Sequence, residues 1–416
     1  MIHRLLLVED SRTYSKALVS AFSKETTIEI DWAASLAEAQ TFIASGETTY
    51  SLAILDLTLP DAPRGEIVPY CIEHKIPSIV CTGTYNSDVR TSLFEQGVID
   101  YVLKDSPIAM EYLVKLVLRL LKNKQISAII TANDEDVANS QRKYIKNLQF
   151  KIYEAKSSLG TRKLLYDHPE ISIAFIGEKL RDTSGLELSK ACRKYYPSSA
   201  LSIIALPEGD RELAAKFIKY GADDYVLEPT TPEEFYIRVN NTVETKEQLH
   251  KLERAANHDF MTGLLNRRAF FEKSETYMNQ ARLAQGGITV AMLDIDKFKR
   301  INDTYGHDVG DEAIIALADC LSANMRSTDL IARFGGEEFA ILSLKTPRVD
   351  QEKFYDQIRT AISEIRIPIA QGDDIHFTAS IGVTNKFDTC LDHMLQASDA
   401  NLYTAKETGR NRVVIT

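Results

Sequence analysis

Over residues 1–250, short apolar β-type runs alternate with helical patterns, and the whole alternation occurs twice. Leu5-Leu6-Leu7-Val8 opens the first round. Within it, Ser51-Leu52-Ala53-Ile54-Leu55-Asp56 recurs later as Ser172-Ile173-Ala174-Phe175-Ile176-Gly177. Gly97-Val98-Ile99-Asp100-Tyr101-Val102-Leu103-Lys104 likewise recurs as Gly221-Ala222-Asp223-Asp224-Tyr225-Val226-Leu227-Glu228. Strands alternating with helices predict a doubly wound α/β domain, so the repeat predicts two of them. In that architecture, ligands sit at the C-terminal ends of the strands.

The pattern then changes. Residues 232–256 read as a helix, with apolar positions at Phe235, Val239, Val243, Leu249, Leu252 and Ala256. That spacing suits a short seam between two chains, or a helix packed on its own preceding domain. Further on, Ile288 to Leu293 is an apolar run ending in Asp294-Ile295-Asp296. Two more apolar runs flank Arg333-Phe334-Gly335-Gly336-Glu337-Glu338-Phe339. Gly335-Gly336 suits a tight hairpin whose central positions need positive φ. The expected division is 1–124, 125–231, a helical linker 232–256, and 257–416.

Composition narrows the class. A chain of 416 residues is long enough for about three domains, each with its own core. A net charge of −10 argues against binding polymeric nucleic acid through bulk electrostatics. Five scattered cysteines (Cys71, Cys81, Cys192, Cys320, Cys390) form no CxxC and read as reduced thiols. The apolar stretch Tyr112 to Leu121 is broken by Lys115 and Arg119, and the N-terminus has no signal-peptide pattern. The expectation is a soluble cytoplasmic protein with no membrane span.

The chemistry concentrates beyond residue 257. Two carboxylates follow Gly335-Gly336, where a Cβ-free backbone lets a bulky ligand approach. Asp294 and Glu337, on neighbouring strands, would clamp Mg²⁺, which prefers oxygen ligands and substrate phosphates. Lys297 to Asp311 brings cations, an amide, carboxylates and two glycines into a loop ahead of a helix expected near Glu312. Lys406 and Arg410, four apart at a helix end, can neutralise a triphosphate. Singly, Asp and Asn near a helix start are usually caps, and cations at a helix C-terminus favour its dipole. The set together points to a nucleotide.

With Asp259-Phe260-Met261-Thr262-Gly263-Leu264-Leu265-Asn266-Arg267-Arg268, these segments closely resemble the GGDEF/GGEEF diguanylate cyclase family, five motifs in order over roughly 257–416. Met261 stands where the family more often has Leu. The resemblance implies a palm-like βαββαβ domain around a central antiparallel sheet. It implies Asp294, Glu337 and Glu338 as catalytic carboxylates, and Asp294, the Ile295 carbonyl and Glu337 as metal ligands. Asn302 and Asp311 match the guanine readers, and Lys406, Arg410 and Lys299 the phosphate-binding cations. Phe298, Gly335 and Gly336 line the substrate. The implied reaction joins two GTP into cyclic di-GMP with release of two pyrophosphates. It requires two domains face to face, two Mg²⁺ per composite site, and hence a homodimer. Asp311 accepts from guanine N1–H and N2–H, so ATP is expected to be rejected. Arg326 and Asp329 match the family's RxxD site, where the product inhibits; the bland reading is an i,i+3 salt bridge.

The first repeat resembles a response-regulator receiver domain, flavodoxin-like in fold. Glu9, Asp10 and Asp56 match its Mg²⁺ site, with one ion, and Asp56 its phosphoacceptor. Lys104, Thr82 and Tyr101 match its switch residues, while Gly65 lies one position later than usual after Asp56. The second repeat is a degenerate receiver. It has Ala132-Asn133 for Glu9-Asp10, Gly177 for Asp56, Leu206 for Thr82 and Glu228 for Lys104. An adaptor role in dimerisation is expected of it, and the nearby Asp134, Glu135 and Asp136 read as a solvated loop. Receiver, degenerate receiver, linker and GGEEF domain, in that order, imply a diguanylate cyclase switched by phosphorylation from a sensor histidine kinase or phosphotransfer protein. The rival is a catalytically idle receptor or scaffold for GTP or cyclic di-GMP.

Overall fold

The computed structural model describes residues 2–416 except 24, 26, 47–48, 134–138, 285–286, 327, 345–350, 369–373 and 387–389, with no side chains described at 139–140 and 281–284. The chain divides into two compact units, Met1–Leu249 and His250–Thr416. Asp134, Glu135 and Asp136 lie outside the described residues.

The first unit contains two five-stranded parallel sheets. Strands β1 (His3–Val8), β2 (Ile28–Ala33), β3 (Leu52–Asp56), β4 (Ser78–Thr82) and β5 (Asp100–Leu103) stand in the order 2-1-3-4-5. Strands β6 (Ser127–Thr131), β7 (Lys151–Ala155), β8 (Ile171–Gly177), β9 (Ser202–Leu206) and β10 (Asp224–Tyr225) repeat that order as 7-6-8-9-10. Both sheets have the flavodoxin-like topology expected. β3, β4, β6 and β9 are buried at every residue, as strands covered by helices on both faces must be. One apolar core runs through both sheets. Leu113, Leu116, Val117, Leu120 and Leu121 of the helix Pro107–Asn123 pack in the same cluster as Ile130, Phe175 and Phe235.

The expected helix beyond residue 232 forms as Pro232–Asn257. Its first three apolar positions, Phe235, Val239 and Val243, are buried in the core of the first unit. Leu249 and Leu252 are exposed. Arg90 donates from Nε to Glu233 at 2.8 Å, and Arg119 pairs with Glu247 at 2.8 Å. The helix thus completes the second receiver-like layer before it continues past Leu249.

The second unit is a six-stranded sheet of β11 (Leu265–Asn266), β12 (Ile288–Ile295), β13 (Leu330–Gly335), β14 (Glu338–Leu344), β15 (Ala379–Thr384) and β16 (Val413–Ile415), ordered 11-13-14-12-15-16. β12 lies centrally, antiparallel to both β14 and β15, and every one of its residues is buried. Helices Phe298–Tyr305 and His307–Asn324 follow β12, and Gln351–Ser363 precedes β15, which gives the expected βαββαβ palm. The segment after Lys297 is therefore helical where a loop was expected, and the next helix begins at His307, not near Glu312. Ile301 explains the first difference: it is buried in the palm core, with Phe298 packed against that core one turn before. Gly306 explains the break, since its φ of +89° interrupts the helical path.

Candidate functional site

β12 delivers Asp294 to its C-terminal end, directly opposite Glu338 in the antiparallel register with β14. The strand is apolar up to that point, so the carboxylate emerges from the core and stays buried. Burial pushes the Asp294 carboxyl up to about 6; Lys406 opposes the shift, while the charges of Glu337 and Glu338 add to it. Lys406, one residue before the end of the helix Leu391–Glu407, reaches Asp294 at 2.8 Å. Between β13 and β14, Gly335 and Gly336 have φ of +152° and +55°, so the expected hairpin uses both glycines. Glu337 is half-buried and Glu338 exposed at its tip.

The helix Phe298–Tyr305 carries Phe298, Lys299 and Asn302. Asn302 Oδ1 is buried without a hydrogen-bond partner. A Cβ at Gly310 would sit 1.9 Å from that oxygen, so the bare backbone of the following helix is what lets Asn302 lie there. Asp311, the next residue, is exposed. Asn302 and Asp311, nine positions apart in the chain, are thus drawn to the junction of two helices. Arg410 lies just past the helix that carries Lys406 and lines a cleft of about 500 Å³ with Lys297, Arg300, His376 and Asn411.

Arg326 and Asp329 are joined through the backbone: the Arg326 N–H donates to the Asp329 carboxylate at 3.0 Å. Asp329 borders a separate cleft with His258, Lys273 and Tyr277. Two site residues escaped the sequence reading. Asp296 holds the loop after Arg410, and its spacing of two from Asp294 at a strand end was the available signal. Arg333 pairs with Asp259 at 3.1 Å and donates from Nε to the Gly336 carbonyl at 2.9 Å, tying the segment after the long helix to the hairpin.

In the first unit, Glu9, Asp10 and Asp56 converge with ligand oxygens within 4.8 Å of one another. Lys104 reaches both Glu9 and Asp56 at 2.6 Å. Burial raises the Glu9 pKa, and the Lys104 bond and charge oppose it. Burial works against the Lys104 ammonium too, but its bonds to Asp56 and Glu9 leave its pKa raised. Tyr101 donates its hydroxyl to the Thr84 carbonyl at 2.8 Å, and the Thr82 hydroxyl lies 3.5 Å from that same oxygen. All six receiver positions therefore meet at one sheet edge.

Residues 256–412 match the diguanylate cyclase GGDEF domain family. The chain is 31% identical to the response regulator PleD of Caulobacter vibrioides over 256 residues, covering 59% of this chain and 56% of that protein. It is 39% identical to the diguanylate cyclase DgcM of Escherichia coli K12 over 177 residues, 42% of each chain. It thus spans about half the length of the curated relatives it matches. A solved two-component response regulator/GGDEF domain protein is 32% identical with a TM-score of 0.53, covering 59% of this chain and 99% of that one. Among the described residues, no helix is long and apolar enough to cross a membrane. With a GGDEF domain on a palm sheet and a receiver-type carboxylate cluster ahead of it, the chain belongs to the GGDEF-domain response regulators.

Proposed function

We propose that this protein is a diguanylate cyclase that condenses two GTP into cyclic di-GMP and two pyrophosphates, under the control of phosphorylation at Asp56. The observation that carries the reading is Asp294: buried, opposite the hairpin carboxylates, and in contact with Lys406. A buried carboxylate needs a cation, and here the cation comes from a helix end whose Lys406 and Arg410 suit a triphosphate. The donors fit Mg²⁺, being hard oxygens supplied by Asp294, the Ile295 carbonyl and Glu337. Ions held there would stabilise the attacking and leaving oxygens of an in-line displacement.

The protein's own groups do the rest by position and charge. Asn302 and Asp311 hold the guanine edge. Lys406, Arg410 and Lys299 neutralise the triphosphate, whose β- and γ-phosphates leave as pyrophosphate when the 3′-hydroxyl of the other GTP, giving up its proton, attacks the α-phosphorus and the α–β bond breaks. One GTP per domain makes a homodimer part of catalysis. In the first receiver, Glu9, Asp10 and Asp56 suit one Mg²⁺, with Asp56 as acceptor of a phosphoryl group from a histidine kinase or phosphotransfer protein. Phosphorylation then raises the frequency of cyclase–cyclase encounters through effective concentration. Product binding at Arg326 and Asp329 limits the output.

The test is the initial rate of cyclic di-GMP formation from GTP and Mg²⁺, with and without beryllofluoride. A faster rate with the phosphoryl mimic is expected. Equal nonzero rates would keep the cyclase and remove the switch. No product in either arm, with a working control enzyme, would leave a GTP or cyclic di-GMP receptor.

A further inference from the structure

Asp294 and Asp296 leave the same strand end two residues apart, and their surroundings differ. Asp294 meets Lys406. Asp296 is buried and receives three donors: the Thr378 hydroxyl at 2.7 Å, the Ser380 hydroxyl at 2.6 Å and the backbone N–H of Asn411 at 2.9 Å. The first two come from β15 and the residues leading into it. The third comes from the turn that carries Arg410.

That turn is unusual. Arg410 has φ +64° and Asn411 φ +45°, and Lys297 across the cleft has φ +58°. Among the described residues, five that are not glycine have positive φ, and three of them border this one cleft. Left-handed backbone at residues with side chains persists only where the surroundings over-determine it, and it gathers at functional sites. Here the restraints are visible. The Arg410 N–H donates to the Ala405 carbonyl at 2.9 Å, at the end of the helix that carries Lys406. The Arg410 carbonyl accepts from Arg412 Nε at 3.2 Å, and Asn411 Oδ1 accepts from Arg359 at 2.9 Å. Asp296 supplies the remaining tie, from the metal-facing end of β12 to the turn itself.

We infer that Asp296 is a positioning residue for Arg410: by accepting the Asn411 N–H it fixes the left-handed turn and so sets where the Arg410 guanidinium meets the terminal phosphates of the nucleotide. The inference rests on the cyclase reading for the identity of the nucleotide. It differs from a purely structural role in what it selects. A carboxylate that only stabilises the fold affects every ligand of the site alike. One that acts through Arg410 affects ligands with β- and γ-phosphates and spares those without.

The experiment compares the full-length protein with Asp296→Asn, Arg410→Ala and the double variant. It titrates each with the α-thio analogue of GTP and with GMP, both with Mg²⁺, and measures kcat and KM with GTP. Loss of a charge-assisted hydrogen bond is expected to weaken GTP-analogue binding about tenfold in Asp296→Asn. GMP binding stays unchanged, KM rises more than kcat falls, and the double variant is no weaker than Arg410→Ala alone. If Asp296→Asn fails to fold, Ser380→Ala removes one of the two hydroxyl donors and is expected to give a smaller loss with the same selectivity. Equal losses for GMP and the GTP analogue, or additive losses in the double variant, would overturn the inference. Selective loss in a protein that makes no cyclic di-GMP would keep the inference and sink the cyclase reading. Absence of binding by the unsubstituted protein would sink both.

Discussion

The two sheets of the first unit share a topology and differ at one edge. In the first copy, Asp56 ends a fully buried strand and meets Lys104, which also holds Glu9. In the second, Gly177 ends the corresponding strand, and its carbonyl is packed against the start of the helix Gly185–Tyr195. A Cβ at Gly185 would come within 1.9 Å of that carbonyl oxygen. At this edge the first copy presents clustered carboxylates held by a lysine, and the second presents a backbone carbonyl lying against a glycine. The fold survives this exchange because buried strands such as Ile173 to Ile176 specify it, and the strand-end chemistry does not. Burying a carboxylate at this edge opposes stability, as the Glu9 pKa indicates: burial raises it first, and the neighbouring Asp56 charge adds to the shift. A copy without those carboxylates has no such cost to offset.

The sharpest way to break this comparison is to move the acceptor. Asp56→Asn is expected to abolish phosphoryl uptake from acetyl phosphate, read by intact-protein mass. Gly177→Asp on that background is expected to restore none, because Leu206 and Glu228 stand where Thr82 and Lys104 do in the first copy. Uptake by the double variant would show that the second edge needs only an acceptor carboxylate, and the comparison would fail.

A smaller effect sharpens the steric half. Gly185→Ala is expected to cost about 3 kcal/mol, the upper range for forcing an extra carbon into a packed interior. Gly65→Ala, in the corresponding loop of the first copy, meets Leu57 Cδ2 at 3.1 Å and has φ +79°. A flexible side chain can yield, which leaves mainly the left-handed backbone penalty of about 1 kcal/mol. The difference is read as the shift in urea midpoint at unchanged slope. Equal shifts would mean that the Gly177–Gly185 contact relaxes as readily as a side chain does.

Much of this was legible in the chain. The repeat announced itself because aligned segments such as Ser51–Asp56 and Ser172–Gly177 keep apolar character position by position. The placement of the strand-end and hairpin carboxylates was readable because Asp294 ends an apolar run and Glu337 follows two glycines. Residues whose role lies in tertiary contact were not readable. Nothing local to Gly310 says that Asn302 packs on it, and nothing local to Asn411 says that its N–H finds Asp296. The short helix after Lys297 looks like a loop in the sequence because its polar majority hides the one buried position, Ile301. The long helix from Pro232 was compatible with two readings. Only burial separates Phe235, Val239 and Val243, which are core, from the exposed Leu249 and Leu252.

The two copies also differ in a lysine at the opposite edge. Lys124 donates to the Ser51 carbonyl at 3.2 Å from an exposed position. Lys246 donates to the Ser172 carbonyl, the aligned residue, at 2.6 Å and to the Ala200 carbonyl at 2.7 Å, and it is buried. Burial lowers the Lys246 pKa to about 8, with Asp223 opposing and Arg193 adding to the shift. Unfolded, the same amine titrates near 10.5. Between those values the unfolded chain binds more protons than the folded one, so Lys246 adds stability as pH rises from 8 to 10.5. Below pH 8 it is charged in both states, and that contribution is absent. Against Lys246→Met as reference, the unsubstituted protein is expected to gain about 2 kcal/mol over this interval, measured by urea unfolding at each pH. Burial lowers the Lys124 pKa as well, but Lys124→Met is expected to give a smaller gain, because that ammonium sits at an exposed position. A gain as large at Lys124 as at Lys246 would mean that burial does not distinguish the two edges.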